Sequence, residues 1–191
     1  MLAKLEEERD FRFFGYKALR EAVVREMRNA GSGRPHLVRS FASPAVNKQE
    51  EAMRRKSYAA LETFIDSIRP KLGDLQQNFM TGRQPACRWE GHDLSGGFHF
   101  SALNKKGETV YLYISASSHD DEKDKDIQQR KATIELLSII AEHRFTAEPK
   151  HVWFVDLNTG TIHKPSKSVQ RLRQDLKRTL DHLHRMKKDA A

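Results

Sequence analysis

Residues 98–117 read Phe98-His-Phe-Ser-Ala-Leu-Asn-Lys-Lys-Gly107, then Glu108-Thr-Val-Tyr-Leu-Tyr-Ile-Ser-Ala-Ser117. Aromatic and β-branched residues alternate on both sides of Asn104-Lys-Lys-Gly107, a turn composition that predicts two strands joined by a tight connection. Residues 98–104 and 109–117 are therefore expected as neighbours, with residues 87–95 as an earlier strand reached through Gly96-Gly97. A helix is expected from Asp126 to about Phe145. Its Ile134, Leu136, Leu137, Ile139 and Ile140 cover too wide an arc for a surface helix, which predicts packing on the sheet. Residues 151–157 read as a strand that turns at Asn158-Thr-Gly160 and returns over 161–164. A strand, a crossover helix and another strand imply at least one parallel or mixed pairing. The fold class is α/β, with α+β as the alternative.

Upstream, Leu19, Val23 and Met27 recur at helical spacing, and Gly31 and Gly33 punctuate the end of that helix. Residues 36–41 are expected as a short strand. Asn47 is placed to cap a long helix that Pro70 stops, with Met53, Leu61, Phe64, Ile65 and Ile68 as its apolar stripe. A short helical turn is expected around residues 74–80. Downstream, Ser166 or Ser168 is expected to cap a final helix carrying Val169, Leu172, Leu176, Leu180 and Leu183. The chain thus divides into a mostly helical region (1–84), an α/β core (85–165) and a basic amphipathic helix (166–191). Its 191 residues suit one compact domain.

The 34 Lys and Arg outnumber the 26 Asp and Glu, for a net charge of +8. The excess is polarised. From Lys164 onward, Lys164, Lys167, Arg171, Arg173, Lys177, Arg178, Arg185, Lys187 and Lys188 face only Asp175, Asp181 and Asp189. Such a distribution favours polyanionic partners through counterion release and steering. No run of 18 apolar residues occurs, so no membrane partner is expected. The N-terminus lacks the pattern of a secretory signal, and the single Cys87 suits a reducing compartment, so a cytoplasmic location is expected.

The order helix, three strands, helix, strand resembles the core of the PD-(D/E)XK, or restriction-endonuclease-like, superfamily. The resemblance implies an Asp at the start of the second strand and a Glu-x-Lys tripeptide on the third, holding Mg²⁺ to activate water at a phosphodiester. Asp93, in Trp89-Glu-Gly-His-Asp-Leu-Ser95, stands where that Asp is expected. At the tripeptide the chain reads Ser115-Ala-Ser117. Serine hydroxyls are poor ligands for a hard cation and cannot supply the lysine's charge. The resemblance, over residues 61–164, therefore implies a degenerate, non-cleaving relative of the kind that mobile elements carry.

Candidate residues follow from these readings. For an active nuclease, Asp93 would be the metal ligand and Glu90, Glu108 and Glu62 the remaining carboxylates, with Mg²⁺ as the cofactor. Without catalysis no cofactor is expected. The alternative, favoured over metal ligation, is Asp93 as a turn former ahead of Gly96-Gly97 and Glu90 as a solvated side chain. For nucleic-acid binding the candidates are Arg54, Arg55 and Lys56, then Lys105 and Lys106 at a hairpin tip, then Arg171, Arg173, Lys177, Arg178 and Arg185 on the last helix. Lys and Arg so placed neutralise phosphates without reading sequence. Gly31-Ser-Gly-Arg-Pro could wrap an anion with its amides or be a plain flexible loop, and Tyr111 and Tyr113 could stack on bases or pack in the core. Ser117-Ser118-His119-Asp120 is no triad, since triad members converge from separate segments. His182 and His184 point to different sides of a helix. The leading expectation is a non-catalytic nucleic-acid-associated protein. A Mg²⁺-dependent nuclease and a protein-binding inhibitor or adaptor docking through the last helix are the alternatives.

Overall fold

The computed structural model of the chain describes residues 16–81, 85–116, 124–165 and 169–189. Helix α1 spans residues 16–28 and is followed by α2 (Gly33–Ser40) and α3 (Lys48–Thr63). Asn47 caps α3 as its sequence position predicts, its side chain accepting from the Glu50 amide at 2.9 Å. The helix continues through a wider turn (Phe64–Ile68) and a 3-10 turn (Arg69–Lys71) that contains Pro70.

The main sheet has five strands in the order β1 (Leu72–Asn78), β4 (Phe100–Asn104), β5 (Thr109–Ser115), β6 (Val152–Asp156) and β7 (Thr161–His163). β1, β4 and β5 form an antiparallel meander; α4 (Asp124–Phe145) then crosses so that β6 runs parallel to β5, and β7 closes antiparallel on β6. The fold is α/β. A separate two-stranded hairpin, β2 (Ala86–Trp89) and β3 (His92–Ser95), and the final helix α5 (Val169–Asp189) complete it.

Alternation along β5 divides the core. Val110, Leu112 and Ile114 face α1 and α3, where Leu19, Val23, Leu61, Phe64 and Ile68 are buried. Tyr111 and Tyr113 face the other side with α4, whose Leu137, Ile139 and Ile140 are buried against Phe79, Leu94 and Phe98. The wide apolar arc of α4 is thus consumed by the sheet and the hairpin. Leu176 and Leu180 bring α5 onto the same layer.

Three expectations are corrected. Residues 36–41 lie mostly in α2, not in a strand. Glu26, buried on α1, accepts from the Gly31 and Gly33 amides at 2.7 and 2.9 Å and so supplies the start of α2 with partners for its free N–H groups. Residues 74–80 fall mainly in β1, because pairing with β4 overrides the weak strand propensity of Leu72-Gly-Asp-Leu-Gln-Gln-Asn78. Residues 87–95 are not one strand of the sheet but the peripheral hairpin. It turns at Glu90 and Gly91, both at positive φ (49° and 83°), the backbone of a two-residue turn. The second strand of the meander is therefore β4, which begins at Phe100, and Asp93 is not on it.

Candidate functional site

The sheet presents two polar ends. At the first, the β4–β5 turn is organised by Asn104. Its Oδ1 accepts from the Lys106 and Glu108 amides at 2.8 and 3.0 Å, and its Nδ2 donates to Glu108 at 2.8 Å. Gly107, at φ 77°, completes the turn. The rigid tip leaves Lys105 and Lys106 exposed. Lys71 from the turn before β1, Lys150 and His151 from the turn before β6, and Lys164 after β7 surround the same open groove of about 740 Å³. Trp153 and Ile162 line it as well, and the Lys164 ammonium lies over the Trp153 ring, 4.9 Å from its centre.

Among the described residues Glu108 is the sole acid on the groove lining, and its surroundings hold it ionised. The Asn104 hydrogen bond, then Lys150 and His151, keep its carboxyl below the usual range. Lys150 also meets Glu148 at 3.0 Å, outside the groove. Among the described residues no carboxylate lies within ion-pair distance of Lys71, Lys105, Lys106 or Lys164. The cationic surface there is open.

At the opposite end, β4 and β5 diverge. Phe100 still pairs with Leu112, but one position further the imidazole of His99 enters the gap and its Nδ1 accepts from the Ile114 amide at 2.8 Å. His99 is 5% exposed. Burial, and after it the charge of Arg20, push its pKa down to about 3, so the ring is neutral.

The candidate carboxylates do not converge. Glu62 on α3 is forked by Arg34, with one contact at 2.7 Å, and that hydrogen bond pulls its carboxyl down. Glu90 accepts from Lys177 at 2.6 Å. Glu108 sits at the lysine groove. Asp93 is exposed on β3 directly across from Arg88. Among the described residues, no group of three or more His, Cys, Asp or Glu could hold a metal ion.

Several expected phosphate contacts are committed inside the molecule. Arg54 is mostly buried, donating to the Phe41 and Ser43 carbonyls at 3.0 and 2.6 Å and pairing with Glu50. Arg173 holds α5 to α4 through Glu135 and Glu142 at 2.6 and 2.7 Å. Arg55 pairs with Glu51 at 3.6 Å, Arg178 with Asp175 at 3.6 Å, and Arg185 donates to the Asp181 carbonyl at 3.4 Å. Lys56 is exposed on α3. The Arg171 side chain, Ser117-Ser118-His119-Asp120, His184 and the Ser166 and Ser168 caps lie outside the described residues.

The Gly31-Ser-Gly-Arg-Pro amides do wrap an anion, but it is the chain's own Glu26. Tyr111 stacks on Phe145 with ring centres 4.7 Å apart, and Tyr113 on Phe154 at 5.2 Å, so both tyrosines serve packing. Of the candidate binding residues Lys105 and Lys106 line the groove, joined by Lys164 from the start of the basic tail. Lys71, Lys150 and His151 carry no sequence signal of their own, since they meet only through strand pairing.

Compared with known proteins, the chain matches no family model, no curated protein and no solved structure. Among the described residues no helix is long and apolar enough to cross a membrane.

Proposed function

We propose that this protein binds the phosphate backbone of nucleic acid through the groove between the β4–β5 turn, the turn before β6 and β7, and that it does so without cleaving it. The observation that carries this reading is the set of Lys71, Lys105, Lys106, Lys150 and Lys164 around one open groove, with Glu108 as the single acid among the described residues of its lining. Flexible ammonium groups in solvent suit polyanion binding that is insensitive to base sequence. The non-cleaving part rests on the dispersed carboxylates. In the meander, the residue before the second strand is His99 and the third strand ends at Ser115, so neither acid of the nuclease pattern stands there.

The test is fluorescence anisotropy of labelled DNA and RNA across a salt series, with a gel on the same samples containing Mg²⁺. Four to five lysine contacts predict a slope of log affinity against log salt of about −4. Reversing Lys105→Glu and Lys106→Glu together is expected to weaken binding at least roughly tenfold and to make that slope shallower by about 2. Absent or salt-insensitive binding would sink the groove reading. Mg²⁺-dependent cleavage lost in Asp93→Ala would replace it with the nuclease alternative.

A further inference from the structure

The hydrogen-bond chemistry at His99 is incomplete. A neutral imidazole has one N–H and one lone pair. The Ile114 amide, 2.8 Å from Nδ1, takes the lone pair, so Nε2 must carry the hydrogen. Arg20 on α1 places its Nη1 3.1 Å from that same Nε2. A guanidinium has donors only. Two N–H donors therefore converge, one on a ring buried to all but 5% of its surface, with no acceptor between them among the described residues.

The geometry is held from both sides. Arg20 Nε donates to the Tyr16 carbonyl at 3.1 Å, which orients the guanidinium. The imidazole is pinned by the Ile114 amide and flanked by Tyr113, with ring centres 5.1 Å apart. His99's own backbone is paired on both sides, its amide to Leu112 at 2.8 Å and its carbonyl to Phe79 at 3.2 Å. Neither donor can turn to another partner without giving up an existing hydrogen bond. Arg20 itself is half-buried.

We propose that Arg20 and His99 form a binding site for a single oxyanion, a phosphate or carboxylate group, one of whose oxygens accepts from both Arg20 Nη1 and His99 Nε2. The guanidinium supplies charge and the locked imidazole supplies direction, a combination that favours an anion over water. The site is separate from the lysine groove. The five residues of β4, at about 3.3 Å each, put roughly 15 Å between them.

The experiment is nitrogen NMR of the histidine rings in the full chain, labelled at histidine and titrated with inorganic phosphate and, separately, with sodium acetate at matched ionic strength. Before addition His99 is expected to show a protonated Nε2 and an unprotonated Nδ1. A saturable shift of the Nε2 signal is the expected response. Saturation by phosphate at lower concentration than acetate assigns a phosphoryl ligand, and the reverse assigns a carboxylate. Arg20→Met is expected to weaken that response at least roughly tenfold, with Arg20→Lys between it and the wild type. The Lys105→Glu, Lys106→Glu protein, impaired only in the groove, is expected to titrate as the wild type does. A proton on Nδ1, no saturable shift with either anion, or a response unaffected by Arg20→Met would each overturn the proposal.

Discussion

The two ends of β4 solve the placement of polar groups in opposite ways. At Asn104 the backbone makes a tight turn, and the lysines beyond it stand exposed in water. At His99 the ring lies inside the fold, substitutes for a missing ladder partner of Ile114, and brings a second donor from α1 to its back. The exposed end can exchange partners freely, so its energetics belong to ligand and salt. The buried end cannot, so its energetics belong first to stability. Charge density alone would have pointed only to the first.

Truncation separates them most sharply. His99→Ala orphans the Ile114 amide and leaves a void, and is expected to cost about 3 kcal/mol in urea unfolding. Lys105→Ala with Lys106→Ala is expected to change stability by less than about 0.5 kcal/mol. Equal losses would erase the distinction.

Acid sharpens it next. His99 stays neutral in the folded chain down to about pH 3, whereas in the unfolded chain it takes up a proton below its ordinary value near 6.5. Unfolding therefore binds a proton in that window, and stability is complete above pH 6.5 and falls as pH drops toward 3. At pH 5 the loss from this ring is about 2 kcal/mol. Denaturation of wild type and His99→Gln at pH 7 and pH 5 isolates it, since the carboxylates held down by partners titrate alike in both. A pH dependence identical in the two proteins would contradict the buried neutral ring.

The mildest change lies in the groove. Glu108→Gln keeps an acceptor for Asn104 while removing a negative charge from the lining. Affinity for nucleic acid is expected to rise about two- to threefold at low salt and to converge with the wild type at high salt. An affinity that falls would mean that Glu108 positions Lys150 and His151 rather than opposing the ligand.

Much of the frame was legible because its signals are local. Asn47 and Pro70 bracket the long helix, and the apolar arc of residues 134–140 announces a helix buried against a sheet. The strand–helix–strand order fixes a crossover. Of the misread pieces, β1 depends on a distant partner and α2 on a side chain five to seven residues upstream. β1 contains Gly73, Asp74 and Asn78, poor strand formers, and is a strand because β4 lies beside it. α2 starts where it does because Glu26 reaches back to the amides that open it. The hairpin had a usable sign, Gly91 as the second residue of a two-residue turn, which would have split residues 87–95 and removed Asp93 from the sheet.

The candidate site divides along the same line. Lys105 and Lys106 could be placed together from their turn, and the cationic excess from counting. Arg54 and Arg173 look like phosphate ligands in the sequence and prove to be internal fasteners, since a guanidinium that reaches buried carbonyls or carboxylates is no longer a surface charge. By itself, then, the sequence determined the longer helices, the crossover and the sign of the surface, all set by neighbours within a few turns of chain. Only the tertiary structure decided which cations remain free, that the acidic candidates lie on separate elements, and that Arg20 meets His99 from 79 residues away. Pairing strands and packing layers joins residues whose spacing along the chain carries no trace of the contact.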